Sequence, residues 1–429
     1  MDDIFDGAVR WSGSGSRLAA VGAALLGGIL AVAPSLAGEA NPAKEPAVSA
    51  IAARLETEGG RTRLLFELTA PVPVAAFPVA RPDRIIVDLP EVAFLIDPAV
   101  GHPAPARGAD TLASGFRFGR FAPGRSRVVI DLARPAKIVR AAAENRPQGA
   151  RLEIELAASD AASFAAAAES ASARLAQPAS PKDEPAAPAA SAGKPVVVVD
   201  PGHGGVDQGA TGRHGEQEKQ IVLDFAKALA AKIEAAGRLH AVLTREDDVF
   251  VPLDERVRLA RRNNAALFLS VHADTLGAPN VEGATVYTVS AKASDAESAK
   301  IAEKENRADL AAGLERKEEA EEVGDILLDL TRRETRAFGR QFAEALVSRW
   351  REAGALNKNP SRSAGFVVLK AHDVPSVLIE LGYLSSEKDL ARLTSPQWRD
   401  KAAAAAMAAV DAYFADRERQ AATVAGRPQ

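Results

Sequence analysis

The stretch VVVVDPGHGG, residues 196–205, determines the architecture of the C-terminal half of the chain. Four successive valines without polar alternation are typical of a strand that is covered on both faces, as in a parallel sheet. A flexible Gly-rich turn follows and carries His203. Ligands of open α/β sheets bind in the crevice beyond the carboxyl ends of the strands. At this point two interpretations stand: a ligand-binding turn, or a glycine turn that happens to contain a histidine.

Apolar strands alternate with helical patterns from residue 195 to about 416, which predicts an α/β domain with a twisted, mostly parallel sheet flanked by helices. The expected strands lie at 196–200, 240–244, 266–274, 283–289, 365–370 and 375–382. The expected helices lie at 216–236, through the DERVRLARRNN segment that starts at 254, and at 387–415. A disordered tail is predicted for 417–429.

Residues 48–158 contain four related segments, RLLFEL, RIIVDL, RVVIDL and RLEIEL, which begin at residues 63, 84, 127 and 151. Each has an arginine, mostly apolar residues, an acid and a leucine. Short strands separated by turn residues at this spacing predict a small all-β sandwich ahead of the α/β domain. The composition of residues 159–194 then shifts to Ala, Ser and Pro, which predicts a linker with a short Ala-rich helix at its start.

The N-terminus predicts export. An apolar run, LAAVGAALLGGILAVAP (18–34), follows Arg10 and Arg17 and precedes small residues suited to cleavage near Ala37. Residues 1–37 are therefore interpreted as a secretory signal peptide of a periplasmic protein, with no stable membrane span after cleavage; a retained single anchor is the alternative. The chain has no cysteine, which excludes disulfides and thiolate metal sites. Its 53 basic and 57 acidic residues give no charge pattern for binding nucleic acid.

Titratable side chains collect where strands end. His203, His272 and Glu380 each follow an apolar strand, and Glu218 lies in the first turn of the helix after His203. Two imidazoles and a carboxylate form the ligand set of a catalytic zinc centre, with a fourth position open to water. A second carboxylate can then act as general base. The sequence lacks the patterns of a P-loop, a dinucleotide-binding turn and an HExxH metallopeptidase helix.

Four segments in order resemble the zinc-dependent N-acetylmuramoyl-L-alanine amidases of the amidase-3 family: DPGHGGVDQGATG, EKQIVLDFAKAL, LTREDDVFVPLDERVRLARRNNAALFLSVHAD and VPSVLIELGYLSSEKD. The resemblance implies that His203, Glu218 and His272 bind Zn²⁺ and that Glu380 is the catalytic glutamate. Asp274 departs from the asparagine usual in the family. The stretch RPDRIIVDLP (81–90) resembles the AMIN domain that precedes periplasmic cell-wall amidases and implies wall targeting.

Arg245 and Arg256 also match the family pattern. They can either recognise peptide carboxylates or brace loops, and we favour the second role. The resemblance implies hydrolysis of the amide between N-acetylmuramic acid and L-alanine of peptidoglycan, in wall remodelling and daughter-cell separation. Two alternatives remain at this point: a zinc endopeptidase of peptidoglycan cross-links, and a catalytically silent wall-binding scaffold.

The long segment between His272 and Glu380 predicts a helical insertion at about 292–335. Apolar residues at helical spacing give it a stripe, formed by Ile301, Leu310, Leu314, Val323, Ile326, Leu327 and Leu330. AEKENRADL and ILLDLTRRET resemble the regulatory insertion of division amidases that require an activator with a LytM-type domain. The resemblance implies that Glu305, rather than Glu303, occupies the open zinc position at rest and that the activator binds the stripe.

Overall fold

A computed structural model of the protein describes residues 48–102, 111–175, 193–277, 281–314 and 326–425. The predicted signal peptide and residues 176–192 of the predicted linker lie outside these residues, as does Val323. Within the described ranges, no helix combines the length and the apolar character needed to cross a bilayer.

The N-terminal part, the β-domain (residues 48–158), is a sandwich of two sheets, as predicted. One sheet has the strand order β5-β1-β2-β9-β8 and the other β3-β4-β7-β6. Their inner faces enclose one apolar core that includes the rings of Phe66, Phe116 and Phe118. The strands are β1 (Val48–Glu58), β2 (Arg61–Leu68), β3 (Ala75–Val79), β4 (Arg84–Pro90), β5 (Val92–Phe94), β6 (Ala113–Ala122), β7 (Arg125–Leu132), β8 (Ala136–Arg146) and β9 (Gly149–Ala158).

The four related segments form the centres of the two sheets. RIIVDL lies on β4 and pairs antiparallel with RVVIDL on β7, so that each arginine lies opposite the acid of its neighbour. RLLFEL on β2 and RLEIEL on β9 pair in the same way. Because side chains alternate across a strand, arginine and acid share the outer face while the residues between them alternate into the core.

The Ala-rich helix predicted at the start of the linker is present, but its length and packing differ from the prediction. Helix α1 (Ala161–Leu175) is longer than the short helix expected there, and its Phe164 is buried in the core of the β-domain. This one aromatic side chain gives an otherwise small-residue helix enough apolar area to pack. The Ala/Pro-rich remainder, 176–192, lies outside the described residues.

The second part, the α/β domain, has a six-stranded mixed sheet of order β11-β10-β12-β15-β13-β14. Only the β13–β15 pair is antiparallel among its described pairings, which confirms the predicted mostly parallel fold. The strands are β10 (Val196–Pro201), β11 (His240–Leu243), β12 (Leu267–His272), β13 (Ala284–Val289), β14 (Leu356–Ala364) and β15 (Ser376–Glu380). The helices are α2 (Glu218–Ala235), α3 (Leu253–Arg262), α4 (Ala296–Glu305), α5 (Ala308–Ala311), α6 (Ile326–Trp350), α7 (Glu387–Leu393) and α8 (Pro396–Ala425).

The four valines of β10 explain why the sheet is buried on both sides. Val197 and Val199 pack into the core beneath α2, α6 and α8. Val196 and Val198 point to the opposite face, where they pack with Phe268 of β12 and are covered by Ile301 of α4. A strand in this position needs apolar residues at every position, so the unalternating pattern follows from two covered faces.

Two predicted elements near the end of the chain are wrong. No strand forms at 365–370, where Val367–Leu369 is a short 3₁₀ turn that covers the sheet. The strand is instead β14, whose polar sequence LNKNPSRSA contains Pro360 and is tolerated because β14 is an edge strand. The terminal helix is two helices, with Pro396 opening α8.

The predicted limits of two segments are also wrong. Helix α8 extends to Ala425 instead of giving way to a tail at 417, because no Gly or Pro interrupts it before Gly426. Helix α6 runs without a break through the predicted end of the insertion at 335, and its later turns carry Phe342, Leu346 and Trp350 into the core. The side chains of Ile326, Leu327 and Leu330 lie outside the described part of the chain.

The packing of α6 predicts a large effect for Phe342→Ala. Phe342 is fully buried against the ring of Tyr413, with a centroid separation of 5.5 Å. We expect the free energy of unfolding to fall by about 3–5 kcal/mol, from the lost apolar contacts and the cavity left behind. Urea unfolding followed by circular dichroism measures it.

Glu344→Ala is the matched control, because Glu344 is exposed on the same helix. Its free energy of unfolding should change by less than about 0.5 kcal/mol. A Phe342→Ala variant as stable as this control would contradict the packing of α6 on the sheet.

Candidate metal centre

His203 occupies the turn after β10 in an uncommon backbone conformation, with φ at +58°. Its Nδ1 lies 2.9 Å from Oδ2 of Asp207, which fixes the orientation of the ring. Because Nδ1 is bound in this way, Nε2 is the nitrogen that faces the neighbouring strand end. The turn thus presents one imidazole nitrogen of defined orientation.

His272 is the last residue of β12, the strand next to β10. Gly202 makes room for it: a Cβ at position 202 would lie 2.4 Å from Cε1 of His272. The glycine that precedes His203 is therefore required for the two imidazoles to approach each other. Their ring centroids are 4.9 Å apart.

Glu218 is the first residue of α2 and is fully buried. Its Oε2 accepts a hydrogen bond from the backbone N–H of Ala210 (2.7 Å), and its Oε1 accepts one from the N–H of Ala273 (2.9 Å). The helix N-terminus and these two amides stabilise the carboxylate in its buried position. Oε1 lies 3.2 Å from Nε2 of His203 and 3.3 Å from Nδ1 of His272.

Glu305, the last residue of α4, completes the cluster from the opposite side. Its Oε2 lies 3.3 Å from Nε2 of His203 and 3.1 Å from Nδ1 of His272. Of the residues predicted for the metal site, the structure thus brings together all three ligand candidates and the predicted blocking carboxylate. Glu303, the alternative, is exposed and pairs with Arg307.

These donors fit a tetrahedral metal ion. The ligand atoms of His203, Glu218 and His272 all lie within 4.8 Å of one another. The four separations to Glu218 and Glu305 given above span 3.1–3.3 Å, close to the ~3.4 Å edge of a tetrahedron with zinc-ligand bonds of about 2.05 Å. Nε2 of His203 and Nδ1 of His272 are buried and have no hydrogen-bond partner in the described part of the chain. The cluster can hold a divalent metal ion.

The charges in the cluster interact strongly. Burial lowers the pKa of His203, but the carboxylates of Glu218 and Asp207 raise it more. The pKa of His203 therefore lies well above its ordinary value. Against the same effect of burial, Glu305 and Glu218 raise the pKa of His272 to about 10. Burial raises the pKa of Glu218, but the two imidazoles hold it well below its usual range. The buried carboxylates thus favour positive charge at this point, which a divalent cation bound by the same groups would supply.

Glu380 lies beside the ligand cluster. It is the last residue of β15 and the register partner of His272 on β12. Oε2 accepts a hydrogen bond from the N–H of Asp274 (2.9 Å), while the buried Oε1 has no hydrogen-bond partner among the described residues. Burial is the main cause that raises the pKa of Glu380 well above its usual value, with His272 opposing. A carboxyl group with a raised pKa accepts a proton more readily than an exposed carboxylate, as a general base must.

Arg245 and Arg256, the two arginines that match the family pattern, contact the backbone that carries His203. Arg245 donates to the carbonyls of Pro201 (3.0 Å), Gly202 (2.8 Å) and Lys219 (2.7 Å). Arg256 donates to the carbonyl of His203 (2.7 Å) and to Oδ1 of Asp200 (2.8 Å). Both are buried, and these contacts support the interpretation that they brace loops.

Three further residues contribute to the site without having been predicted. Asp207 orients His203, and its position four residues later in GHGGVD was the available signal. Asp200 forms an ion pair with Arg256 under the turn. Lys304 pairs with the buried Asp274; burial and nearby carboxylates raise the pKa of Asp274 to about 6. Nothing in the sequence pairs Lys304 with Asp274, because the two residues lie on separate elements.

The cavity next to the cluster is small. It measures about 10 Å³, room for about one water molecule. Its lining includes both imidazoles together with Glu305, Asn306 and Ala308. Helix α4 and the residues after it therefore close the space above the metal-binding atoms.

Residues 197–412 match the model of the Amidase_3 family, described as N-acetylmuramoyl-L-alanine amidase. The chain is 30% identical over 375 residues to the N-acetylmuramoyl-L-alanine amidase AmiC of Escherichia coli O6:H1, covering 85% of this chain and 89% of that one. It is 30% identical to AmiC of Neisseria meningitidis serogroup B, and the match covers 90% of this chain and 95% of that one. It is 37% identical to the N-acetylmuramoyl-L-alanine amidase AmiA of Escherichia coli K12, and the match covers 52% of this chain and 78% of that one.

The geometry predicts that the purified chain retains about one divalent metal ion, which a chelator removes with a fall in thermal midpoint. His203→Ala and His272→Ala should lose most of the bound metal, because each removes a buried ligand nitrogen. Metal content by mass spectrometry and thermal unfolding measure both effects. His240→Ala is the matched control, since His240 is exposed and pairs with Glu234. If His203→Ala retained as much metal as this control, the proposed site would be contradicted.

Proposed function

The chain belongs to the N-acetylmuramoyl-L-alanine amidase family, and on that premise we propose that it is a zinc enzyme that cleaves peptidoglycan between N-acetylmuramic acid and L-alanine. The observation that carries the proposal is the group of buried, inward-facing donor atoms of His203, Glu218 and His272 beside the unpartnered Oε1 of Glu380. Two histidines and one glutamate are a known ligand set for catalytic zinc.

In this proposal His203, Glu218 and His272 hold the zinc ion. When bound, zinc supplies Lewis-acid polarisation of the scissile carbonyl and makes water more acidic. Oε1 of Glu380 takes a proton from the attacking water and delivers it to the nitrogen of the leaving L-alanine. Both protons of the water end on the nitrogen, so the products are a carboxylate on the sugar side and an ammonium group on the peptide side, and atoms and protons balance. The N–H of Asp274 keeps Glu380 in position through its other oxygen.

We propose that Glu305 inhibits the enzyme at rest. Its Oε2 is placed as a fourth donor toward the same point as the ligands, so it takes the position that water and substrate need. Burial raises the pKa of Glu305, but the two imidazoles hold it below its usual value. When zinc is bound, the cation supplies the positive charge in place of the imidazole protons and favours the same ionised carboxylate. An activator with a LytM-type domain would bind the helical insertion and favour the open state.

The cellular role follows from the same proposal. Residues 1–37 would direct export to the periplasm, where peptidoglycan is accessible, and the mature protein would have no membrane span. The β-domain, which resembles the AMIN domain, would bring the enzyme to the wall at the division septum. Cutting the stem peptides from the glycan there would separate the daughter cells.

Glu380→Gln tests the chemistry. The amide keeps the shape of the side chain but cannot accept the proton, so we expect zinc content to stay unchanged and hydrolysis to fall by about 10²- to 10⁴-fold. Mass spectrometry of digested peptidoglycan measures the products. Glu387→Gln, on an exposed side chain, is the control and should keep full activity.

Products of the wild-type enzyme also decide which bond is cut. Free stem peptides and peptide-free glycan support the amidase. Products that keep sugar and peptide joined would overturn it in favour of a cross-link endopeptidase. Full activity of Glu380→Gln would exclude Glu380 as the general base.

Glu305→Ala tests the inhibition. We expect hydrolysis in the absence of an activator to rise by at least about tenfold, the effect of removing about 1.4 kcal/mol of closed-state stabilisation. Glu303→Ala is the matched control, because it removes an exposed carboxylate from the same helix and should leave the basal rate unchanged. Equal basal rates for wild type and Glu305→Ala would exclude this inhibitory role.

A further inference from the structure

The segment that follows Glu305, the tether (residues 306–314), leaves the α/β domain and contacts the β-domain. Three arginines of the four-stranded sheet donate to three successive carbonyls of the tether. Arg84 donates to Leu310, Arg117 to Ala311 (2.8 Å) and Arg127 to Ala312 (3.0 Å). These carbonyls belong to the C-terminal end of α5, where a helix lacks internal partners for its last C=O groups. The arginines therefore cap α5 from another domain.

Each of the three guanidinium groups is also held by a carboxylate of its own sheet. Arg84 and Arg117 both bind Asp131, at 2.8 and 2.9 Å. Arg127 binds Asp88 at 2.6 Å and lies over the ring of Phe121 at 3.5 Å. These are the arginines and acids of RIIVDL and RVVIDL, together with one arginine of β6. Preorganised donors lose little side-chain entropy when they bind a carbonyl.

Apolar contacts reinforce the hydrogen bonds. Ile86 and Val129, which lie between the arginines and acids on the same face, form a cluster with Ala312 and with Val206 and Phe250 of the α/β domain. Gly313 fits closely against this face: a Cβ there would lie 2.2 Å from Cδ1 of Ile86. The tether thus packs on the sheet as well as bonding to it.

The β-domain also binds the loop that carries His203. The carbonyl of Arg120 accepts hydrogen bonds from the N–H groups of Val206 and Phe250, both at 3.3 Å. Gly205 approaches so closely that a Cβ there would lie 1.8 Å from the same carbonyl. One sheet of the β-domain therefore contacts both the metal-binding loop and the tether.

The five-stranded sheet provides an internal comparison. It carries the same cross-strand pairs, with Arg63 and Arg151 opposite Glu155 and Glu67. Its outer face has Glu153 where β7 has Val129, and the side chains of Arg63 and Arg151 are 39% and 32% exposed, against 5% for Arg127. Leu65, the counterpart of Ile86, is also apolar and buried, so the two outer faces differ in Val129 against Glu153 and in the burial of the arginines. We attribute the docking of the tether on one sheet alone to these two differences.

We propose that the β-domain is a latch that holds the inhibitory helix closed, a role additional to any binding of the cell wall. The proposal rests on the inhibitory role of Glu305 proposed above. Four residues separate Glu305 from Leu310, the first carbonyl bound by the latch, so α4 cannot move away from the metal site by much while the latch is engaged. The occupant of this docking face is the tether of the same chain.

The double variant Arg117→Ala/Arg127→Ala tests the latch, with Arg63→Ala/Arg151→Ala as the matched control in the other sheet. The chain has no cysteine, so the thiol introduced by A312C reports on the tether alone. Ala312 is fully buried, and its replacement should react slowly with a maleimide in the latched state. We expect labelling and basal hydrolysis to rise by at least about tenfold in the latch variant, because losing even one of its two charged hydrogen bonds to the tether has about that effect. Both rates should stay unchanged in the control.

The outcomes separate the latch from the inhibition it serves. Unchanged labelling in the latch variant overturns the latch, whatever Glu305→Ala does. Faster labelling with no gain of activity in either the latch variant or Glu305→Ala supports docking of the tether but overturns its inhibitory purpose. If circular dichroism shows that the double variant is unfolded, Ile86→Ala serves as the second test. Its control is Leu65→Ala, at the equivalent position of the other sheet. We expect faster labelling in Ile86→Ala and unchanged labelling in Leu65→Ala.

Discussion

The buried charge at the carboxyl edge of the sheet constrains the rest of the structure. Glu218 and Glu380 are fully buried, and Glu305 is nearly so. Each ion taken out of water costs several kcal/mol unless it is compensated. The compensation is local: two imidazoles, the N-terminus of α2 and the amides of Ala210 and Ala273. The site is therefore complete only if the loops that supply these groups stay in place.

Those loops are held by a second layer of buried polar contacts. Asp200 accepts hydrogen bonds from Thr244 (2.6 Å) and Ser270 (2.7 Å) as well as from Arg256, which links three neighbouring segments under the His203 turn. The positive φ of His203 is a strained conformation for a residue with a side chain. Bracing by Arg245 and Arg256 stabilises that conformation, so these arginines support the metal site through the backbone of the turn.

Much of this arrangement could be predicted from the sequence, and the physical reason is the geometry of parallel strands. His203, His272 and Glu380 follow the adjacent strands β10, β12 and β15, whose carboxyl ends necessarily meet. The edge strand β14 was missed because it has neither apolar alternation nor two covered faces. The docking of the β-domain left no recognisable signal, because its arginines bind backbone carbonyls, which every residue has. Helix α6 was divided wrongly because a charged pattern does not reveal which turns a sheet covers.

The edges of the α/β sheet have a consequence for solubility. An exposed edge strand offers unpaired N–H and C=O groups to any other extended chain, and so favours aggregation. Here one edge strand, β11, has only four residues, and the other, β14, carries Lys358, Pro360 and Arg362. Short length, a missing N–H and positive charge each oppose the addition of a further strand. The same polar sequence that hid β14 from prediction thus protects the domain from edge-to-edge association while it folds.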